Sequence, residues 1–376
     1  MTQQKGKVVV AMSGGVDSSV AAALLVEQGY QVTGMMLRLW SEPGMETYNR
    51  CCTPAAMANA RQVASILDIP FYAIDAKDRF REVVVEYFLD GYAQGVTPNP
   101  CLACNRHIRW EYLLNRALAL GADYMATGHY ARVEHAQDRP VKLYKAVDPE
   151  KDQSYVLSVL NQEQLRHALF PLGGYSKPQI RALAEKFNLP VAQTKDSQDL
   201  CFLAGTDYRS FLERHGRQQD TPGPIKDLEG VFLGEHSGLS NYTIGQRKGL
   251  GIAMPEPYYV IRKDISTHTL VVGKKHQLGS SHLSAANVNW LDGKTPRDAF
   301  DADIKIRYTA KLAPGRVIPD GNDGFSVEFM QPQRDITPGQ AAVIYKQDLV
   351  IGSGIIQGEA ASNDNFHPVK LLEVTS

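Results

Sequence analysis

Apolar residues along the first part of the chain follow two alternating periods. Short aliphatic runs at 7–12, 31–39, 71–74 and 123–126 read as buried strands. Between them, 17–28, 79–92 and 108–120 carry apolar residues at helical spacing. In the first of these the stripe is Val20, Ala21, Leu24 and Leu25, and Gly29 closes the helix as a left-handed cap. Thr53 is a natural N-cap with Pro54 at the first helical position, opening a helix that runs to Leu67. A further helix at 176–187 turns Ile180, Leu183, Ala184 and Phe187 inward. Strands separated by helices predict an α/β fold, a doubly wound and mostly parallel sheet whose ligands lie at the carboxyl ends of its strands.

The texture changes after residue 206. A helix at 208–214 is followed by the turn-rich Thr221-Pro222-Gly223-Pro224 and then by short strand-like runs at 231–233, 258–262, 269–272, 304–308, 325–329, 341–345 and 350–356. This predicts a catalytic domain over 1–206, a small central domain over 207–283 and a C-terminal β-barrel over 284–376. No apolar run approaches the roughly 18 residues of a bilayer helix, and the N-terminus lacks a signal-peptide core, so the reading is a cytoplasmic protein with no membrane partner. The 40 basic and 41 acidic residues leave RNA binding open, because that requires a local basic face and not a basic total. The odd count of 5 cysteines argues against a disulfide framework and directs attention to reactive, redox or metal-binding thiols.

The string Ala11-Met12-Ser13-Gly14-Gly15-Val16-Asp17-Ser18 joins the first strand to the first helix. Its glycines let the backbone approach an anion, and the helix start supplies open N–H groups and a positive dipole end. The Gly-Lys-Ser/Thr element of a Walker A loop is missing. Asp17 is out of place in such a loop unless it holds a metal ion or the loop itself. The string resembles the pyrophosphatase loop of enzymes that cleave ATP between its α and β phosphates, among them GMP synthetase, asparagine synthetase, argininosuccinate synthetase and several tRNA-modifying enzymes. That resemblance implies an adenylated intermediate, released pyrophosphate and magnesium. It also places the adenine against the strand at Met35, Met36 and Leu37, and the nucleoside near Gly128.

Thr97-Pro98-Asn99-Pro100-Cys101-Leu-Ala-Cys104-Asn105 precedes a helix, whose dipole, with Arg106 and His107, favours a thiolate at Cys104. Cys201, in the string Asp196-Ser-Gln-Asp-Leu-Cys201-Phe202, reads equally as a small core residue when taken alone. Together with Ala126-Thr-Gly128-His129-Tyr130, Lys151-Asp152-Gln153-Ser154-Tyr155 and Tyr242-Thr-Ile-Gly245-Gln246-Arg247-Lys248-Gly249-Leu250-Gly251, these segments resemble the tRNA-specific 2-thiouridylase family over nearly the entire chain. The resemblance implies ATP-dependent 2-thiolation of the wobble uridine in the tRNA anticodon loop. Cys201 would carry sulfur as a persulfide received from a donor protein, either a cysteine desulfurase or a sulfur relay. Cys104 would be the nucleophile, able to pair with Cys201 as a transient disulfide. Asn99, Pro100 and Cys101 would meet the target base, and His129, Lys151, Asp152, Gln153, Arg307, Tyr308 and Gln340 would contact tRNA; by the same resemblance 1–206 would be the ATP pyrophosphatase domain and 207–283 a tRNA-binding domain.

The chain departs from the family pattern at two of these places. Many relatives have Asp where Cys101 stands, so a proton-transfer role at that position is in doubt. The change also creates Cys101-x-x-Cys104, which with Cys201 resembles the ligand set of a [4Fe–4S] cluster; zinc would need a fourth ligand, with His107 the one to try. Leu37 stands where relatives often have Met, a conservative apolar exchange. Cys51 and Cys52 read as structural or incidental thiols. Two other readings compete: an amide-forming synthetase with the same loop, and a non-enzymatic nucleotide-binding RNA adaptor.

Overall fold

The computed structural model describes residues 5–45, 53–194, 200–203, 205–215, 221–321 and 323–358. Cys51, Cys52 and residues 195–199 lie outside the described residues.

The first domain is built on β1 (Lys7–Ala11), β2 (Gln31–Arg38), β3 (Phe71–Asp75), β4 (Tyr124–Thr127), a hairpin of β5 (Ala131–Glu134) and β6 (Lys142–Lys145), and a short β7 (Ala168–Leu169). Five of these form one parallel sheet in the order β3-β2-β1-β4-β7. Val8, Val9 and Val10 are at most 3% exposed, as expected for a central parallel strand covered on both faces. The chain winds outward from β1 through β2 to β3 and then returns to lay β4 on the other side of β1. The boundary between β1 and β4 is therefore the topological switch point, where such a sheet opens a crevice for a ligand.

The helix Val16–Glu27 buries almost its whole circumference, because the sheet covers one side and helix Lys177–Lys186 the other. Gly29, at φ +86°, ends it as the sequence predicts. Thr53 Oγ1 accepts the Ala56 N–H at 3.0 Å and caps helix Pro54–Ile66. The helix predicted at 108–120 begins earlier, at Pro100. Asn99 Oδ1 caps it by accepting from the Cys101 and Leu102 N–H groups at 3.1 and 3.4 Å. A π-type stretch follows over Cys104–Leu113. The polar run of Asn105, Arg106 and His107 concealed this first portion from a reading by periodicity.

The central domain is a four-stranded sheet of β8 (Gly223–Lys226), β9 (Phe232–His236), β10 (Tyr258–Asp264) and β11 (Thr269–Lys274), in the order β10-β11-β8-β9. Its core is Ile225, Leu239, Tyr242, Leu250, Val260, Leu270 and Val272. The C-terminal strands are β12 (Ser280–Trp290), β13 (Phe300–Lys305), β14 (Ala313–Pro319), β15 (Gly324–Gln333), β16 (Ala341–Lys346) and β17 (Leu349–Ile356). They run in the order β12-β15-β14-β13-β16-β17, and pairing of β12 with β17 closes the barrel. The strand predicted at 304–308 ends at Lys305, which leaves Arg307 and Tyr308 in the turn beyond it. The β5–β6 hairpin, which the sequence pattern did not reveal, joins the barrel sheet through Tyr144 opposite Leu349.

Candidate active site

At the end of β1 the Met12 N–H bonds to Met35 O at 2.7 Å, which holds the start of the Ser13–Ser18 loop against β2. Ser18 Oγ accepts the Ser13 N–H at 3.1 Å and donates to Gly15 O at 3.2 Å, closing the loop on itself. Gly14 sits at φ +74°, pressed against the backbone of Ala56, where any side chain would collide. Gly15 is the N-cap of the helix and offers no side-chain cap, so the first N–H groups remain for an anion. Gly128, just past β4, comes so close that a Cβ there would lie 2.7 Å from the Ser18 nitrogen. The loops after β1 and β4 thus meet at the switch point, which is where the sequence put the nucleotide.

Asp17 has a structural partner. Lys177 Nζ bonds both carboxylate oxygens, at 2.8 and 2.9 Å, and the Tyr130 hydroxyl donates to Oδ1 at 2.7 Å. The Lys177 side chain is 11% exposed and that of Asp17 32%. The Lys177 N–H is itself fixed by Asp148 Oδ2 at 3.0 Å. Sequence reasoning missed Lys177; its one signal was a buried-stripe helix starting with Ser176-Lys177-Pro178, far downstream of the loop it serves.

Cys104 is buried, Cys201 half-buried and Cys101 exposed. Cys104 and Cys201 share one apolar cluster with Ile108, Phe80, Phe88 and Phe202. Phe202 anchors the Cys201 turn, its ring 5.2 Å from that of Phe88 and 5.3 Å from that of Phe211. Leu37, expected beside the adenine, packs against this cluster, and Leu39 and Trp40 beyond it belong to it. Because the helix starts at Pro100, Cys101 lies nearer the positive end of its dipole than Cys104 does. His107 does not supply a positive charge to Cys104 either. Its Nδ1 is bonded to Glu111 at 2.7 Å, and burial lowers its pKa, so the ring is neutral near pH 7.

The residues expected to meet RNA fall into two groups. Asn99 Nδ2 donates to Gln340 Oε1 at 3.4 Å, and Gln340 Nε2 donates to Thr97 O at 2.9 Å. Arg307 donates to Asp335 O and Thr337 Oγ1, both at 2.8 Å. Tyr308, 40% exposed, stands edge-on to Tyr155 with ring centres 6.2 Å apart. These side chains surround Asn99, Pro100 and Cys101 at the seam between the first domain and the barrel. The other group is turned inward. His129 accepts from Arg109 at 3.0 Å and bonds Thr127 Oγ1 at 2.8 Å, and burial followed by the Arg109 charge holds its pKa well below the usual value. Asp152 accepts from Ala146 N–H at 3.0 Å and Ser154 Oγ at 2.9 Å, and Gln153 Oε1 accepts the Tyr130 N–H at 3.0 Å.

Family profiles match in the same three parts: a tRNA methyl transferase HUP domain at residues 6–205, a tRNA methyl transferase PRC-barrel domain at 209–274 and an aminomethyltransferase β-barrel domain at 280–356. The chain is 46% identical to the tRNA-specific 2-thiouridylase MnmA 1 of Caldanaerobacter subterraneus subsp. tengcongensis, over 93% of this chain and 98% of that one. It is 47% identical to the tRNA-specific 2-thiouridylase MnmA of Carboxydothermus hydrogenoformans, over 93% and 97%. The chain belongs to the tRNA-specific 2-thiouridylase family. The methyl transferase wording of the profiles and the thiouridylase names of the relatives differ, and the relatives, matched at 46–47% identity over 93% of this chain, decide for 2-thiolation. Among the described residues no group of three or more His, Cys, Asp or Glu side chains is placed to hold a metal ion. Cys101, Cys104 and Cys201 are all among those residues, so the ligand set expected for an iron–sulfur cluster is not assembled there. No described helix is long and apolar enough to cross a membrane.

Proposed function

We propose that this protein is an ATP-dependent tRNA-uridine 2-sulfurtransferase acting on the wobble uridine. The observation that carries the reading is the shared apolar cluster of Cys104 and Cys201, which abuts the end of β2 beside the ATP loop. The C2 oxygen of uracil is a poor leaving group. Its attack on the α-phosphate of ATP forms an O–P bond and expels pyrophosphate, and the adenylated base then loses AMP readily. The terminal sulfur of a Cys201 persulfide attacks C2, and AMP leaves with the electron pair of the broken C–O bond. The Cys104 thiolate next attacks Cys201 Sγ, cleaving the S–S bond to the transferred sulfur. This yields 2-thiouridine and a Cys104–Cys201 disulfide, which two electrons from a thiol reductant reopen.

Asn99, Pro100 and Cys101 receive the target base, splayed out of the anticodon loop as RNA-modifying sites require. Tyr308 and Lys151 face the RNA; His129, Asp152 and Gln153 act by holding the loops that carry them. The ATP site uses Ala11, Met12, Ser13, Gly14, Gly15, Val16, Asp17, Ser18, Leu37 and Gly128. Magnesium would supply charge neutralisation on the pyrophosphate, bound through the phosphates; Asp17, the one carboxylate within the loop, is engaged through both oxygens by Lys177 and through Oδ1 by Tyr130. A separate sulfur-donor protein loads Cys201.

The test is mass spectrometry of tRNA from cells lacking this protein, complemented with wild type, Cys104→Ser or Cys201→Ser. Wild type alone restores 2-thiouridine. Restoration by Cys201→Ser overturns the scheme in favour of a cysteine-independent synthetase, and ATP consumption that ignores unmodified tRNA favours a binding protein.

A further inference from the structure

The chemistry above uses Cys104 and Cys201 and leaves Cys101 only a wall of the base subsite. The fold gives the two thiols of Cys101-x-x-Cys104 opposite settings. Cys101 is exposed and lies one residue past Pro100, where the helix opens. Cys104 is 9% exposed, inside the apolar cluster against which Cys201 packs. The turn that carries both is fixed by side chains at its two ends. Asn99 Oδ1 accepts the Cys101 N–H at 3.1 Å, and Asn105 Nδ2 donates to Cys101 O at 3.0 Å. From Cys104 onward the backbone widens into the π-type stretch.

An exposed thiol in the first turn of a helix, with a buried thiol three residues on, is the layout of a dithiol–disulfide pair. The positive end of the helix dipole favours a thiolate at the outer position, and the thiolate is the form that attacks a disulfide. Residues three apart on a helix have Cβ atoms about 5–6 Å apart and a disulfide needs about 3.5–4.5 Å, so closing the pair asks for a shift of roughly 1–2 Å within one turn. Cys101 also stands at the mouth of the base subsite. Burial, then the charges of Asp152 and Cys101, raise the Tyr308 pKa, which sets Cys101 beside Tyr308. A base seated against Asn99, Pro100 and Cys101 therefore covers this thiol, and a base that has left uncovers it.

We propose that Cys101 is a resolving thiol, which takes over the disulfide from Cys201 once the product has left and passes it to the surface. The proposal rests on the Cys104–Cys201 disulfide of the function proposed above. The Cys101 thiolate attacks Cys104 Sγ and forms the Cys101–Cys104 bond. The Cys104–Cys201 bond breaks, and Cys201 departs as a thiolate. One disulfide replaces another, so this step needs neither oxidant nor reductant. Cys201 is then ready for the next sulfur while the oxidised pair waits at the helix start. A dithiol reductant attacks the exposed Cys101 Sγ, releases Cys104, and closes to its own disulfide, returning two electrons to the pair.

The experiment maps disulfides in the full chain through one turnover. Wild type is persulfide-loaded with a cysteine desulfurase and free cysteine, freed of reductant, and mixed with ATP and unmodified tRNA. Samples are quenched with N-ethylmaleimide at successive times and digested with trypsin. Cys101 and Cys104 share the tryptic peptide 82–106, Cys201 lies on 196–209, and Cys51 and Cys52 lie on 51–61, so each pairing has its own mass. A cross-link between 82–106 and 196–209 should form first. It should then decay while an internal disulfide grows within 82–106 and Cys201 becomes open to the maleimide. In Cys101→Ser the cross-link should persist until dithiothreitol is added. A wild-type cross-link that persists with Cys101 alkylated overturns the inference and leaves the proposed function standing. Thiolation with no disulfide at any time overturns both the disulfide step and the inference. A second arm oxidises reduced wild type with one equivalent of diamide, without ATP or RNA. If the first arm yields no 2-thiouridine the proposed function falls, and this arm alone decides for the pair: a disulfide within 82–106 upholds it, and one between 82–106 and 196–209 overturns it.

Discussion

Replacing Lys177 by Met isolates the electrostatics of the ATP loop. Methionine keeps most of the buried stem and removes the ammonium that bonds both oxygens of Asp17. Removing one partner of a fully buried pair costs about 3–5 kcal/mol, whereas exposed pairs are worth about 0–1 kcal/mol. Asp17 is about a third exposed and keeps its bond from Tyr130, which places the loss near 2 kcal/mol and the fall in Tm at a few degrees. The effect on nucleotide should be larger. With the ammonium gone, a bare carboxylate faces the phosphates. At an effective dielectric of about 20 it repels a unit charge about 8 Å away by about 2 kcal/mol, so ATP affinity should drop roughly thirtyfold. Titration calorimetry without RNA reads this directly. Removing both charges, as Asp17→Asn with Lys177→Met, should recover most of the lost affinity, since the two changes are coupled through one contact. Unaltered ATP binding in Lys177→Met, or strict additivity in the double variant, would refute the reasoning.

Gly128→Ala should leave the fold intact but push the Ser18 backbone out of place, because the new Cβ would lie 2.7 Å from its nitrogen; ATP affinity should fall by about tenfold or more by the same calorimetry. His129 gives the protein an acid-side weakness. Its native pKa lies well below that of an unfolded histidine, so the unfolded state binds more protons once pH falls below about 6.5. Stability contributed by the neutral ring is therefore present above that value and declines as pH falls toward the native pKa, by at most about 1.4 kcal/mol per pH unit. Urea unfolding of His129→Gln between pH 7 and 5 should show a shallower decline than wild type; an identical decline would show that His129 is not the responsible group.

The central sheet was legible because its strands are short aliphatic runs bounded by caps that act locally: Gly29 in the left-handed region and Thr53 bonded to Ala56. The phosphate loop was legible for the same reason, since glycines and a helix start within one stretch define it. What stayed hidden depends on partners far along the chain. Asp17 gave no sign that Lys177 would neutralise it, and the β5–β6 hairpin finds its third strand at Leu349. Burial was equally unreadable at His129 and Asp152, because a polar residue in a motif looks the same whether it faces solvent or satisfies buried hydrogen bonds. In the central domain β8 contains Pro224, and in the barrel β12 carries register shifts, so neither presents the clean alternation that marks a strand.

The junction of β6 with β17 limits how this enzyme can move. The Lys145 N–H bonds Asp348 O at 2.8 Å, and Arg132 reaches the Asp348 carboxylate at 3.0 Å. The nucleotide-holding half and the barrel are thereby sewn into one ladder, and a hinge between them would have to break it. Swinging shut over a substrate is costly for such a body, so the bending falls to the RNA, which must deform to deliver its nucleobase. An excised first domain would also bare the rim of β6 that the barrel normally covers, and such a fragment should clump instead of working alone.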